Sequence, residues 1–173
     1  MLLRASRAED LGPLRAFIGR CTPETLHRRF HGTGPRAIER ELMRIASPTG
    51  SHRSWVVVAG DEVRGTATLA LSGSGAPEMA LLVEDRWFRR GIGRALVGAL
   101  AAHAENAGLD TVTAWVQADN ERAVGFIRAV APRASIRFAG GAELEVRMPV
   151  PAAGSGPSGV SRSRSSILAR EAA

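Results

Sequence analysis

The sequence has no lysine, no tyrosine and a single cysteine, and aromatic residues make up only 5% of it. Each absence removes some chemistry. A Walker A phosphate loop depends on its lysine, so that kind of nucleotide site is excluded. Catalysis by a tyrosine or a lysine side chain is excluded with it. Cys21 alone forms no internal disulfide, which fits a reducing, cytoplasmic setting. No apolar run approaches the roughly 18 residues of a membrane span, so no membrane partner is expected. The opening MLLRASRAED has no long apolar stretch after its first charge, and a secretory leader is not expected either. So few aromatics also leave little surface for stacking single-stranded bases.

What is present suits one well-buried domain: 173 residues, 45% hydrophobic and 23% charged. All 23 basic residues are arginine, set against 17 acids for a net charge of +6. Twenty of them are scattered among the acids from Arg4 to Arg147 and form no stripe, which argues against nucleic acid as a partner. From Pro151 the chain reads PAAGSGPSGVSRSRSSILAREAA. Such a composition buries too little surface to offset the entropy of ordering. The expected organisation is therefore a domain over 1–150 followed by a disordered tail over 151–173.

The periodicity predicts a mixed α/β (α+β) order. A short strand at 2–6 leads to a helix over about 8–20, opened by the capping-box spacing of Ser6 and Glu9. Thr22-Pro23-Glu24 starts a second helix through about Phe30, with a break at 32–35 and a third helix over 38–46. The period then changes to two. Segments 54–59, 63–71 and 77–84 read as an antiparallel meander. A helix ending before Gly108, a strand at 111–118, a helix over about 120–130 and a hairpin over 135–148 follow. The strand–helix–strand unit at 77–118 is the one place where a parallel, right-handed crossover is expected.

One stretch asks for more than packing: RWFRRGIGRALVGAL, Arg86 to Leu100. A helix begins there, and its first N–H groups lack helical partners at the positive end of its dipole. Gly91 and Gly93 let a ligand approach the backbone, and Arg89, Arg90 and Arg94 add donors suited to phosphate oxygens. Together they describe a cradle for a phosphate or pyrophosphate. A Rossmann loop fits poorly, because seven residues separate Val83 from Gly91 and the third glycine position holds Leu96.

The run VEDRWFRRGIGRALVGALAAHAENAGLDTVTAWVQADNERAVGFI resembles the coenzyme A-binding core of the GNAT superfamily of acyl-CoA N-acyltransferases. Arg89-Arg90-Gly91-Ile92-Gly93-Arg94-Ala95-Leu96 matches most of the family's Q/R-x-x-G-x-G/A loop, with Phe88 where Gln or Arg is usual. Ala118-Asp119-Asn120 matches the A-x-N turn before the next helix. The resemblance spans about residues 1–150. It implies a central, mostly antiparallel sheet flanked by helices and an acetyl-CoA cosubstrate whose pyrophosphate lies on the amides of 89–94. It also implies that the strand around Leu82 and Val83 hydrogen-bonds the pantetheine arm and the acyl carbonyl, and that Asn120 contacts the pantetheine region.

Further roles follow from the same likeness. Glu78 lies near where several relatives carry a general-base glutamate; a solvent-facing strand glutamate accounts for it equally. The usual leaving-group acid, a tyrosine seven residues after the Asn, is Ile127 here, with Phe126 beside it. TPETLHRRF resembles a stretch that walls the acceptor pocket in some bacterial members, which brings His27, Arg28 and Arg29 toward an acceptor; a plain amphipathic helix accounts for the segment equally. His27 and His31, four apart, share a helix face but lack a third ligand nearby, so no metal is expected. Cys21 falls on an apolar stripe and reads as core. The implied activity is transfer of an acetyl group from acetyl-CoA to a primary amine. The alternative is a catalytically weak acyl-CoA-binding module, and monomer or homodimer is left open.

Overall fold

Helical and alternating periods follow one another along the chain, and the computed structural model describes residues 1–32, 34–71 and 76–150 of it. The expected tail lies outside the described residues. In chain order the elements are β1 (Leu2–Ala5), α1 (Leu11–Arg20), α2 (Pro23–Phe30), α3 (Pro35–Ala46), β2 (His52–Ala59), β3 (Glu62–Ala70), β4 (Glu78–Val83), α4 (Ile92–Asn106), β5 (Thr111–Gln117), α5 (Glu121–Val130), β6 (Ser135–Gly140) and β7 (Glu143–Pro149).

The strands form one sheet in the order β1-β2-β3-β4-β5-β7-β6. Every neighbouring pair is antiparallel except β4 and β5, which α4 joins as a parallel crossover. This is the mixed α/β architecture expected from the order of elements. The sheet separates two apolar layers. Val57, Ala67, Met79, Val83, Val112, Ala114 and Val116 pack toward α4 and α5, around the fully buried Leu96. Val56, Val63 and Leu82 pack toward α1–α3, around Leu14 and Phe17. Strand alternation therefore assigns each residue of β4 and β5 to one layer or the other.

Two local readings differ from the structure. Ser6 does not cap α1: its hydroxyl donates to the Ile45 carbonyl, 39 residues away. A short 3-10 turn at Ala8–Asp10 precedes the helix instead, and Asp10 takes the Arg7 N–H at 2.9 Å while Arg4 grips both its oxygens. A buried hydroxyl is satisfied wherever an acceptor lies, so spacing alone did not decide its partner. The third helix begins at Pro35, with Gly34 as its N-cap, and not at Ile38. The Gly-Pro pair reads as a break, yet proline is well suited to a first helical turn.

Candidate active site

The parallel pair is the unusual joint. β4 and β5 pair only at Glu78 and Thr113, where the Thr113 N–H donates to the Pro77 carbonyl at 2.7 Å. Beyond that point the strands splay apart. The phase of the outer ladders shows which backbone groups face the gap. The Glu84 N–H bonds the Arg64 carbonyl at 2.9 Å, so residues 84, 82, 80 and 78 face β3. The N–H and C=O groups of Leu81 and Val83 consequently turn toward β5. On the other side the Ala118 N–H bonds the Ala142 carbonyl at 2.8 Å, which turns the backbone of Trp115 and Gln117 toward β4. Two strand edges inside one sheet thus face a gap that no strand among the described residues fills, and unpaired backbone groups of this kind need partners. An extended ligand carrying amides satisfies them as an added strand would.

The gap opens into a cavity of about 730 Å³, within the range of small-molecule sites. At its mouth α4 begins. Gly91 is the N-cap in left-handed backbone, φ 82°, and the first bond within the helix runs from the Ala95 N–H to the Gly91 carbonyl at 3.0 Å. Among the described residues, nothing accepts from the N–H groups of Ile92, Gly93 and Arg94. Arg89, itself left-handed at φ 61°, and Arg94 line the same mouth. An anion is the natural partner for such a helix start.

The loop before it is anchored, not loose. Glu84, 3% exposed at its side chain, accepts from Arg20 at 3.0 Å and Arg64 at 2.8 Å. Burial alone pushes its carboxyl up, and the two guanidinium groups outweigh this and hold it below the ordinary range. Asp85 accepts from the Thr22 N–H and from the hydroxyls of Thr22 and Thr25 at 2.7–2.9 Å. These bonds outweigh burial and lower its carboxyl too, tying α2 to the loop. Trp87 lies beneath the guanidinium groups of Arg64 and Arg90, each 4.9 Å from its ring.

The residues named from sequence fall into distinct places. Glu78, Leu82, Val83, Arg89, Gly91, Gly93, Arg94 and Asn120 line the cavity. Ile92 is buried in the core, leaving its amide as its contribution to the mouth, and Arg90 stacks on Trp87. The Asn120 Oδ1 accepts from the Ala123 N–H at 3.1 Å and caps α5, which leaves its amide nitrogen for a ligand. Arg28, Arg29 and His31 reach the cavity, whereas His27 lies against Gly32. His31 ends α2 in left-handed backbone and leaves the face that the four-residue spacing assigns to it. Burial pushes the Arg29 guanidinium down, and Glu41 only partly offsets this from 3.2 Å.

Two participants were missed. Leu81, and not the expected Leu82, presents its backbone to the gap beside Val83, because the register of β4 on β3 turns the Leu82 amide and carbonyl to β3. Arg122, at the start of α5, lies 4.6 Å over the Phe88 ring and lines the mouth. It brings a guanidinium to the position whose own residue lacks one. An arginine two residues after the Asn was the available signal.

The described chain matches known proteins in sequence pattern and in fold. The family profile described as "Acetyltransferase (GNAT) family" matches residues 22–130. No curated protein is significantly similar to the chain. Among solved structures, the GNAT domain of PAT from S. lividans superposes with a TM-score of 0.78 at 20% identity, covering 85% of this chain and 89% of that one. The PaiA N-acetyltransferase from Thermoplasma acidophilum, solved in complex with coenzyme A, gives 0.67 at 14% identity, covering 86% and 99%. The ribosomal-protein-S18-alanine N-acetyltransferase from Escherichia coli gives 0.65 at 18% identity, covering 89% and 96%.

Proposed function

The chain belongs to the GNAT acetyltransferase family, and on that premise we propose that it transfers an acetyl group from acetyl-CoA to a primary amine by direct attack in a ternary complex. One observation carries this reading. Unpaired amides at the start of α4 and unpaired strand edges in the β4–β5 gap line a single cavity. A diphosphate suits the first and an arm containing amides suits the second, and acetyl-CoA has both in that order.

In this reading Ile92, Gly93 and Arg94 hold the pyrophosphate through their N–H groups, with Arg89, Arg94 and Arg122 as charged donors. Leu81 and Val83 hold the extended arm from β4, and Asn120 supports it from the start of α5, just beyond β5. Acylation needs a polarised carbonyl, and a β4 amide aimed into the gap supplies a fixed donor where negative charge develops. It also needs a deprotonated amine. Glu78 lies at the closed end of the gap and accepts no side-chain hydrogen bond among the described residues, which leaves it free to take the proton directly or through one water. Replacing Glu78 with Gln is expected to lower kcat by about a hundredfold or more, with affinity for coenzyme A unchanged. Unaltered kcat would remove Glu78 from the mechanism.

A specific observation favours a second reading. Ile127 lines the cavity where an acid for the departing thiolate belongs, and α5 offers no side chain there that donates a proton at neutral pH. Water then reprotonates the thiolate, or the protein binds acyl-CoA with little turnover. Release of free thiol from acetyl-CoA across an amine panel separates the two. Rates at the hydrolysis level with every amine, despite tight coenzyme A binding, would leave the binding module standing and the transferase not.

A further inference from the structure

At the closed end of the gap a recess of about 340 Å³ is lined by His31, Glu78, Trp115 and Glu143. It shares the first three with the main cavity. Glu78, Trp115 and Glu143 alternate with residues packed toward α4 and α5, so they stand together on the opposite face of the sheet. There α1 and α3 cover β3 and β2, and Trp115 stays 41% exposed. The His31 Nδ1–H donates to Glu143 at 2.6 Å, and Glu78 has no ion-pair partner among the described residues. The two arginines of α2 that line the main cavity are already matched. Arg28 pairs with Glu24 and Asp119, each at 3.1 Å, and Arg29 with Glu41 while stacking on Phe30. What faces the recess is an indole surface flanked by two carboxylates, Glu78 unpaired among the described residues and Glu143 holding His31, an environment for an alkylammonium ion.

We infer that the acceptor is a small dicationic amine, an alkyl diamine with one nitrogen reacting beside Glu78 and the other resting as an ammonium on Trp115 next to Glu143. The inference rests on the acyl-transfer reading above. The recess adjoins the reacting end directly, sharing Glu78 and Trp115 with the main cavity, which fits a short carbon chain between the two nitrogens. Glu143 is a binding residue: besides His31 it touches only the distant charge, away from the reacting nitrogen.

The test compares 1,4-diaminobutane with 1-aminobutane on the full chain, with acetyl-CoA as donor. The diamine is expected to have a kcat/KM about tenfold higher, from the combined cation–π and exposed ion-pair contributions. In Glu143→Gln, which keeps an acceptor for the His31 N–H, that ratio is expected to fall to within about threefold of unity. Equal kcat/KM for the two amines, or preference for an amine bearing a carboxylate, would overturn the inference while leaving acyl transfer intact. Calorimetry of both amines on the protein loaded with coenzyme A separates the failures. Tighter diamine binding without turnover keeps the recess and removes the transferase; equal binding removes the recess.

Discussion

Gly91→Glu isolates the anion cradle from the fold that presents it. Gly91 has φ 82°, and a Cβ built there meets no atom within 4 Å. The fold therefore bears only the backbone penalty of a side chain in left-handed conformation, about 1–2 kcal/mol, or a Tm lower by about 2–8 °C in a domain of this size. Binding suffers more. A carboxylate about 5 Å from a diphosphate carrying about two charges, at an effective dielectric of about 40, opposes it by roughly 3 kcal/mol. That corresponds to about a hundredfold weaker Kd. Calorimetry with coenzyme A reads the binding and thermal melts read the fold. Gly60→Glu is the control: Gly60 has φ 62°, is equally open, and lies in the β2–β3 turn away from the cavity. It should show the same loss of Tm and an unchanged Kd. A Gly91→Glu protein that binds coenzyme A within about threefold of wild type would refute the placement of the diphosphate, since no smaller effect is compatible with that separation.

Other outcomes follow from the same contacts. Arg122→Ala is expected to weaken coenzyme A binding about fivefold to twentyfold, the share of one charge-assisted contact, measured by calorimetry at fixed ionic strength. Glu84→Gln leaves Arg20 and Arg64 with Glu62 as their remaining carboxylate and should cost about 2–3 kcal/mol, toward or just below the lower end for a broken buried pair because both arginines reach solvent and keep that partner. Because the Glu84 carboxyl is depressed from its ordinary value near 4.5, its stabilisation is present above that pH and is lost as pH falls through the folded value. The Tm gap between wild type and Glu84→Gln should therefore narrow below about pH 4.5. Cys21 is buried, and its thiol is pushed up to about 12 by burial and then by Asp85 and Glu84. Its labelling by a thiol reagent at pH 8 should be slow, and fast labelling of the native protein would contradict that burial. The same raised value makes its contribution to stability complete below about pH 9 and lost as pH rises toward 12.

Much of the architecture was legible because it rests on local periods. Segments 54–59, 63–71 and 77–84 are strand-like runs separated by turn signals, with 63–71 alternating, and β2, β3 and β4 pair as the expected meander. Thr22 and Pro23 announce α2, and the Thr22 hydroxyl accepts from the Thr25 N–H. The glycines and arginines of 89–94 mark a helix start that expects an anion, because the orphan amides are a property of any helix end. Ser6 shows the limit: its spacing to Glu9 suits a cap, but a buried acceptor on another element lies within reach.

The sequence by itself determined the elements, the crossover at 77–118 and the loop chemistry, since these depend on neighbours a few residues apart. Only the tertiary structure decided that β4 and β5 part after a single pair, that Leu81 and Val83 face the gap, and that Arg122 reaches over Phe88. It alone brings Glu78, Trp115 and Glu143 to one recess. Register and splay are set by ladders between strands distant along the chain, and a shift of one residue would turn every amide and side chain of β4 the other way.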